Sequence, residues 1–174
     1  MLSSNDFIEI FLQPGEFYFG DRNTRIRTLL GSCIAITFWH PKASVGGMCH
    51  YLLPSRTGDT GIPQLDGRYG DEALMWLIRE AVARSTAPGE YEIKVFGGGN
   101  MFPKSSQAAR SEVGKRNIEQ AFALLNNYRL PVAAKHVGGH GHRNLIFDVW
   151  SGHVWMKFVQ LDGDGIQNGE FPSV

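Results

Sequence analysis

Apolar residues in the first third of the chain come in short bursts bounded by turn-formers, a pattern that predicts strands. Residues 7–12 and 16–19 are aromatic and aliphatic runs split by Pro14-Gly15, which reads as two strands with a turn between them. A further run, Thr28-Leu29-Leu30, ends in Gly31-Ser32, with Cys33 at the bend. Ile34 to Trp39 is the next strand, Pro41 marks a turn, and a run beginning near Val45 carries His50. Ser55 to Gly67 is rich in glycine and polar residues around Pro63, so it is expected as a long exposed loop.

The period then changes. Leu74, Leu77, Ile78, Ala81 and Val82 fall at helical spacing, predicting a helix over 71–84 with Asp71 as N-cap and a stop before Pro88-Gly89. Tyr91 to Phe96 reads as a strand broken by Gly97-Gly98-Gly99. Ile118, Ala121, Phe122 and Leu125 then define one face of a second helix, from about Ser111 to Tyr128. Pro131 to Val137 returns as a strand and runs into the glycines of 138–141. Leu145–Val149 and Val154–Val159 form a hairpin turned at Ser151-Gly152, with Val154, Met156 and Phe158 alternating along one face. The tail from Asp162 is glycine-rich and expected to fray. The order of strands, helix, strand, helix and strands predicts a mixed-sheet, layered α/β sandwich. It is expected as one domain over 1–174, with its core at about 10–160.

Composition narrows the function classes. The chain has 174 residues and a formal net charge of zero, which argues against a general nucleic-acid or anionic-membrane binder. No apolar stretch approaches the roughly 20 residues needed to span a bilayer, and the N-terminus lacks the pattern of a signal peptide. Two cysteines in such a chain predict free thiols in a reducing compartment, so the cytoplasm is the expected location.

Cys33 and His50 are the candidate chemistry. Strands joined by a tight turn lie about 5 Å apart, so a thiol near the start of one can face an imidazole near the end of the other. A histidine neighbour lowers a thiol pKa, to roughly 3.5–7.5, and carries protons for a thiolate nucleophile. Gly31 and Ser32 allow the sharp bend and bring backbone N–H groups close to substrate, with the Cys33 N–H as first candidate for an oxyanion donor. The competing reading of Cys33 is core packing, and that of His50 a histidine satisfied by a carbonyl. Cys49 adjoins His50 but faces the other way in an extended segment, which assigns it to packing.

Cys33, Cys49 and six histidines could in principle hold zinc, but no Cys-x-x-Cys pair exists and His140 and His142 flank a single glycine. No metal or cofactor is expected. Gly97-Gly98-Gly99 does not make a phosphate loop, because Lys104-Ser105 follows Pro103 rather than glycine.

Taken together, Thr28-Leu-Leu-Gly-Ser-Cys33, Gly46-Gly-Met-x-His50 and Leu53-Pro54 resemble the CheD family of chemoreceptor glutamine deamidases. The similarity continues through Arg68-Tyr-Gly-Asp71, Lys94-Val-Phe-Gly-Gly98, Met101-Phe102, Gly114-Lys-Arg-Asn117, Val137-Gly-Gly139, Gly141 and Arg143. The resemblance implies a compact α/β sandwich related to the deamidase domain of cytotoxic necrotising toxins. It implies hydrolysis of glutamine side-chain amides in methyl-accepting chemotaxis receptors, with Cys33 as nucleophile and His50 as base. It also implies a threonine that orients the histidine. Thr28 is the natural match, although some relatives carry that threonine one position earlier, where this chain has Arg27. Position 49 is often asparagine in the family and is cysteine here. Some relatives bind the chemotaxis phosphatase CheC. The alternatives are a receptor methylesterase or other thiol acyl hydrolase using the same pair, and a non-catalytic adaptor for receptors or CheC.

Overall fold

A computed structural model describes residues 6–57, 64–102, 108–162 and 165–171. Among these, ten strands form two five-stranded sheets. The first sheet joins β1 (Ile8–Leu12), β3 (Thr24–Leu30), β8 (Gly141–Asp148), β9 (His153–Asp162) and β10 (Gly165–Phe171), in that order. The second joins β2 (Phe17–Gly20), β5 (Val45–Tyr51), β4 (Ile34–His40), β6 (Glu92–Gly97) and β7 (Val132–Val137). Both sheets are mixed, because β1 runs parallel to β3 and β6 parallel to β7, while their other pairings are antiparallel.

Two cores stack these parts into three layers. Leu12, Ile26, Leu30, Leu145, Phe147 and Val154 of the first sheet meet Ala35, Met48 and Phe96 of the second. The other face of the second sheet, through Ile34, Ile36, Cys49 and Tyr51, meets helices α1 (Gly70–Ala83) and α2 (Ala108–Asn127). β4 is therefore covered on both sides, which is why Ile34–His40 reads as a continuous apolar run rather than an alternating one. β3 is covered on one face only. Thr24, Ile26, Thr28 and Leu30 point inward, while Arg25, Arg27 and Leu29 point out.

The mixed α/β layering agrees with the sequence reading, and so does the hairpin of β8 and β9. The two strands expected on either side of Pro14-Gly15 also form, and they enter different sheets, β1 pairing with β3 and β2 with β5. Two local expectations change. Helix α1 takes Tyr69 as its N-cap rather than Asp71. Its first N–H groups are met by carbonyls just beyond β5, Gly70 N donating to Leu53 O at 2.9 Å and Asp71 N to Pro54 O at 3.3 Å. Backbone acceptors thus do the work expected of a capping side chain. The tail expected to fray instead adds β10 along the open edge of β9, where unpaired backbone groups offer a template. Part of the expected loop at 55–67 lies outside the described residues.

Candidate active site

The chain passes from the first sheet to the second between β3 and β4, and Cys33 lies in that crossing. Its turn is held from one side by the glycines after β6. Gly98 N donates to Cys33 O at 2.8 Å and Gly99 N to Gly31 O at 2.9 Å. Gly97 has φ +113°, and a Cβ there would sit 2.1 Å from Cys33 O, so a side chain is excluded on both counts. The glycines that suggested a phosphate loop therefore brace the Cys33 turn.

His50 lies on β5 directly opposite Ala35 of β4. Cys33 precedes Ala35 by two positions and packs against the same core between the sheets, so it is the diagonal neighbour of His50. The imidazole is 1% exposed. Its Nδ1 lies 2.7 Å from Thr28 Oγ1, and Thr28 Oγ1 donates its own proton to Leu12 O at 2.9 Å. A carbonyl can only accept, so the hydroxyl proton is committed and Nδ1 must be the donor to Oγ1. That fixes the tautomer. The lone pair of His50 is on Nε2, which is buried and has no hydrogen-bond partner among the described residues.

Thr28 and His50 are thus brought into contact. Arg27 points outward to Glu9 at 3.1 Å, as alternation along β3 requires. Cys33 Sγ and His50 Nε2 share a face without a hydrogen bond between them. Free enzymes often hold catalytic partners farther apart than they stand when substrate is bound.

The electrostatics correct one expectation. Burial pushes the Cys33 thiol up to about 11 and His50 down to about 4, a fall only partly opposed by the Glu16 charge. The free site therefore holds a neutral thiol and a neutral imidazole at pH 7, not the low-pKa thiolate anticipated from the pairing. Cys49, fully buried against the helices, is pushed up to about 12 and lies on the opposite face of β5.

Asn117 was legible only as part of a motif, with no role attached. It is 0% exposed, and its Nδ2 donates to Ser32 O at 3.0 Å and Leu52 O at 2.8 Å. Beyond β5, Arg56 grips Glu72 and Arg68 grips Asp66, each with paired contacts. Both guanidinium groups lie over the Tyr69 ring, at 5.1 and 5.7 Å.

A cysteine at a chain crossing, beside a histidine whose tautomer is fixed for proton acceptance, defines a thiol–imidazole site in a layered α/β sandwich. The family model for CheD, chemotactic sensory transduction, matches residues 52–158, a span that opens just after Tyr51. A probable chemoreceptor glutamine deamidase CheD of Pseudomonas syringae pv. tomato is 51% identical over 156 residues, 89% of this chain and 92% of the relative. One from Dechloromonas aromatica is 48% identical, covering 92% of this chain and 93% of the relative. A Leptospira interrogans relative of the same description is 34% identical, covering 90% and 96%. The chain belongs to the CheD family. Among the described residues, no helix is long and apolar enough to cross a membrane.

Proposed function

We infer that the chain is a chemoreceptor glutamine deamidase that hydrolyses receptor glutamine side chains through Cys33 and His50. The relatives' shared description supports the activity. The observation that carries the mechanism is the Thr28–His50 bond, which leaves Nε2 as a free base on the face that Cys33 occupies.

With both groups neutral, the reaction opens by general-base catalysis. His50 Nε2 takes the Sγ proton as Sγ bonds to the amide carbon, and the carbonyl oxygen becomes an oxyanion. The Cys33 N–H, which meets no acceptor among the described residues, is the first donor to that oxygen. Collapse breaks the C–N bond, and Nε2 returns its proton to nitrogen, releasing ammonia and leaving a thioester. Water then gives a proton to Nε2 as it adds to the thioester carbon. Collapse expels Sγ, which recovers the proton, and glutamate is released.

Thr28 acts through His50 by holding its tautomer and ring plane. The segment from Ser55 to Gly67 follows the His50 strand closely and is assigned to reading the receptor around the target glutamine. The enzyme works in the cytoplasm on the signalling part of methyl-accepting receptors. CheC is the further partner that the family resemblance implies.

Incubation with a receptor cytoplasmic fragment, followed by mass spectrometry and ammonia assay, tests this reading. Conversion of identified glutamines to glutamates with stoichiometric ammonia is expected. Methanol release without ammonia would make it an esterase, and neither product would make it an adaptor.

A further inference from the structure

The β4–β5 ladder ends at Ile34 and Tyr51, one residue short of Cys33 and one past His50. Beyond it, the N–H groups of Leu52 and Leu53 turn away to Arg68 O, at 2.9 and 3.1 Å. Two carbonyls, Ser32 O and Leu52 O, are left converging where the strands part. Neither can donate to the other. The Asn117 amide supplies what is missing, since its two N–H bonds form a fork and each reaches one carbonyl.

We propose that Asn117 is a positioning residue that sets the spacing between the Cys33 turn and the His50 strand. The proposal rests on the Cys33–His50 reading above and extends it to the device that keeps the pair in register. Helix α2 is fixed at this point from two sides. Tyr51 Oη donates to Asn117 O at 2.5 Å, and Gly114, one turn earlier, lets the helix approach Gly98, where a Cβ would meet the carbonyl at 2.5 Å. Gly98 in turn holds Cys33 O. The amide thus braces the nucleophile turn from the helix layer, on the far side of the sheet from the reacting atoms.

Stability alone does not account for the residue. Its Oδ1 is buried without a partner among the described residues, which is a standing cost. An isosteric aspartate would place a carboxylate against two carbonyls and remove both donors. A serine would keep one.

The experiment compares wild type with Asn117→Ala, Asn117→Ser and Asn117→Asp. It measures kcat and KM for a receptor fragment and the rate of iodoacetamide alkylation mapped to Cys33 at neutral pH. Arg25→Met, which breaks the distant Arg25–Asp148 pair, is the control for lost stability. Asn117→Ala is expected to lower kcat about 10- to 100-fold with KM nearly unchanged, because small misplacements of reacting groups are costly. Cys33 alkylation should slow in parallel. Asn117→Ser should recover part of both, and it decides the matter if the alanine or aspartate variant fails to fold. Arg25→Met should lower Tm and move neither rate. Wild-type kcat and alkylation in Asn117→Ala, or an equal loss in Arg25→Met at equal Tm, would overturn the proposal. If wild type releases no ammonia, the deamidase reading fails, and the alkylation rates still decide the role of Asn117.

Discussion

Thr28 and His50 belong to different sheets, and the hydrogen bond between them is made across the interface of a sandwich. β3 supplies the hydroxyl and β5 the ring, at 2.7 Å. The imidazole is therefore carried by one layer and oriented by another.

Replacing Thr28 with valine keeps the shape and removes the hydroxyl. The Nδ1–H and Leu12 carbonyl would both lose their buried partner, at a cost of about 1–3 kcal/mol in stability. The tautomer is no longer specified, so kcat should fall about tenfold or more. Thr28→Ser should retain part of the activity. Steady-state kinetics and thermal melts on both variants check this, and an unchanged kcat in the valine variant removes Thr28 from the site.

The two thiols should behave oppositely. Cys33→Ala is expected to abolish deamidation while leaving the fold intact. Cys49→Ala should keep most activity, because Cys49 faces the helices from the other side of β5. Ammonia assays on the two variants decide it, and an essential Cys49 would reverse the assignment.

Burial also sets the pH dependence. His50 stays neutral in the native state down to about 4, whereas an unfolded histidine takes its proton near 6.5. Between those values the unfolded chain binds more protons, so this group lowers stability as pH falls from 6.5 towards 4. Cys33 keeps its proton up to about 11 against an ordinary value of 9.0, so its contribution is lost as pH rises through that window. The acid limb of kcat/KM should accordingly lie well below 6.5, and iodoacetamide labelling of Cys33 should titrate above the ordinary thiol value. A labelling midpoint below 7 would restore the thiolate–imidazolium pair.

The paired arginines offer a test of recognition apart from chemistry. Arg56→Met frees Glu72 and one face of Tyr69, and so releases one end of the segment after β5. Receptor turnover should fall severalfold, while alkylation of Cys33 by iodoacetamide stays near wild type. Equal loss of both would mean that the segment supports the catalytic geometry itself.

Much of this arrangement is legible in the sequence because period-2 and period-3.6 patterns are local. Strands β4 to β6 and helix α1 announce themselves through runs, turns and breakers within a few residues. The division of β1 and β2 between sheets does not, because pairing with β3 and β5 is a long-range choice that Pro14-Gly15 cannot encode. Cys33 and His50 stand out in the sequence as candidate chemistry, and Thr28 through the family motif. Which of positions 27 and 28 touches His50 depends on the alternation of β3 in space. The thiol's high pKa was hidden for a different reason. Sequence shows the pairing partner, whereas desolvation depends on everything packed around it. Asn117 stayed silent because the two carbonyls it serves belong to backbone.

Thr28, Cys33 and His50 all leave the ribosome early, within the first third of the chain. One of the two strands that flank β3 is β8, where Thr28 lies opposite Leu145, and the amide that holds Ser32 O arrives on α2. Such distant pairings are late and slow to form. A nascent or truncated chain would thus display the cysteine and histidine without the geometry that the folded protein gives them. Hydrolytic competence is a property of the finished fold.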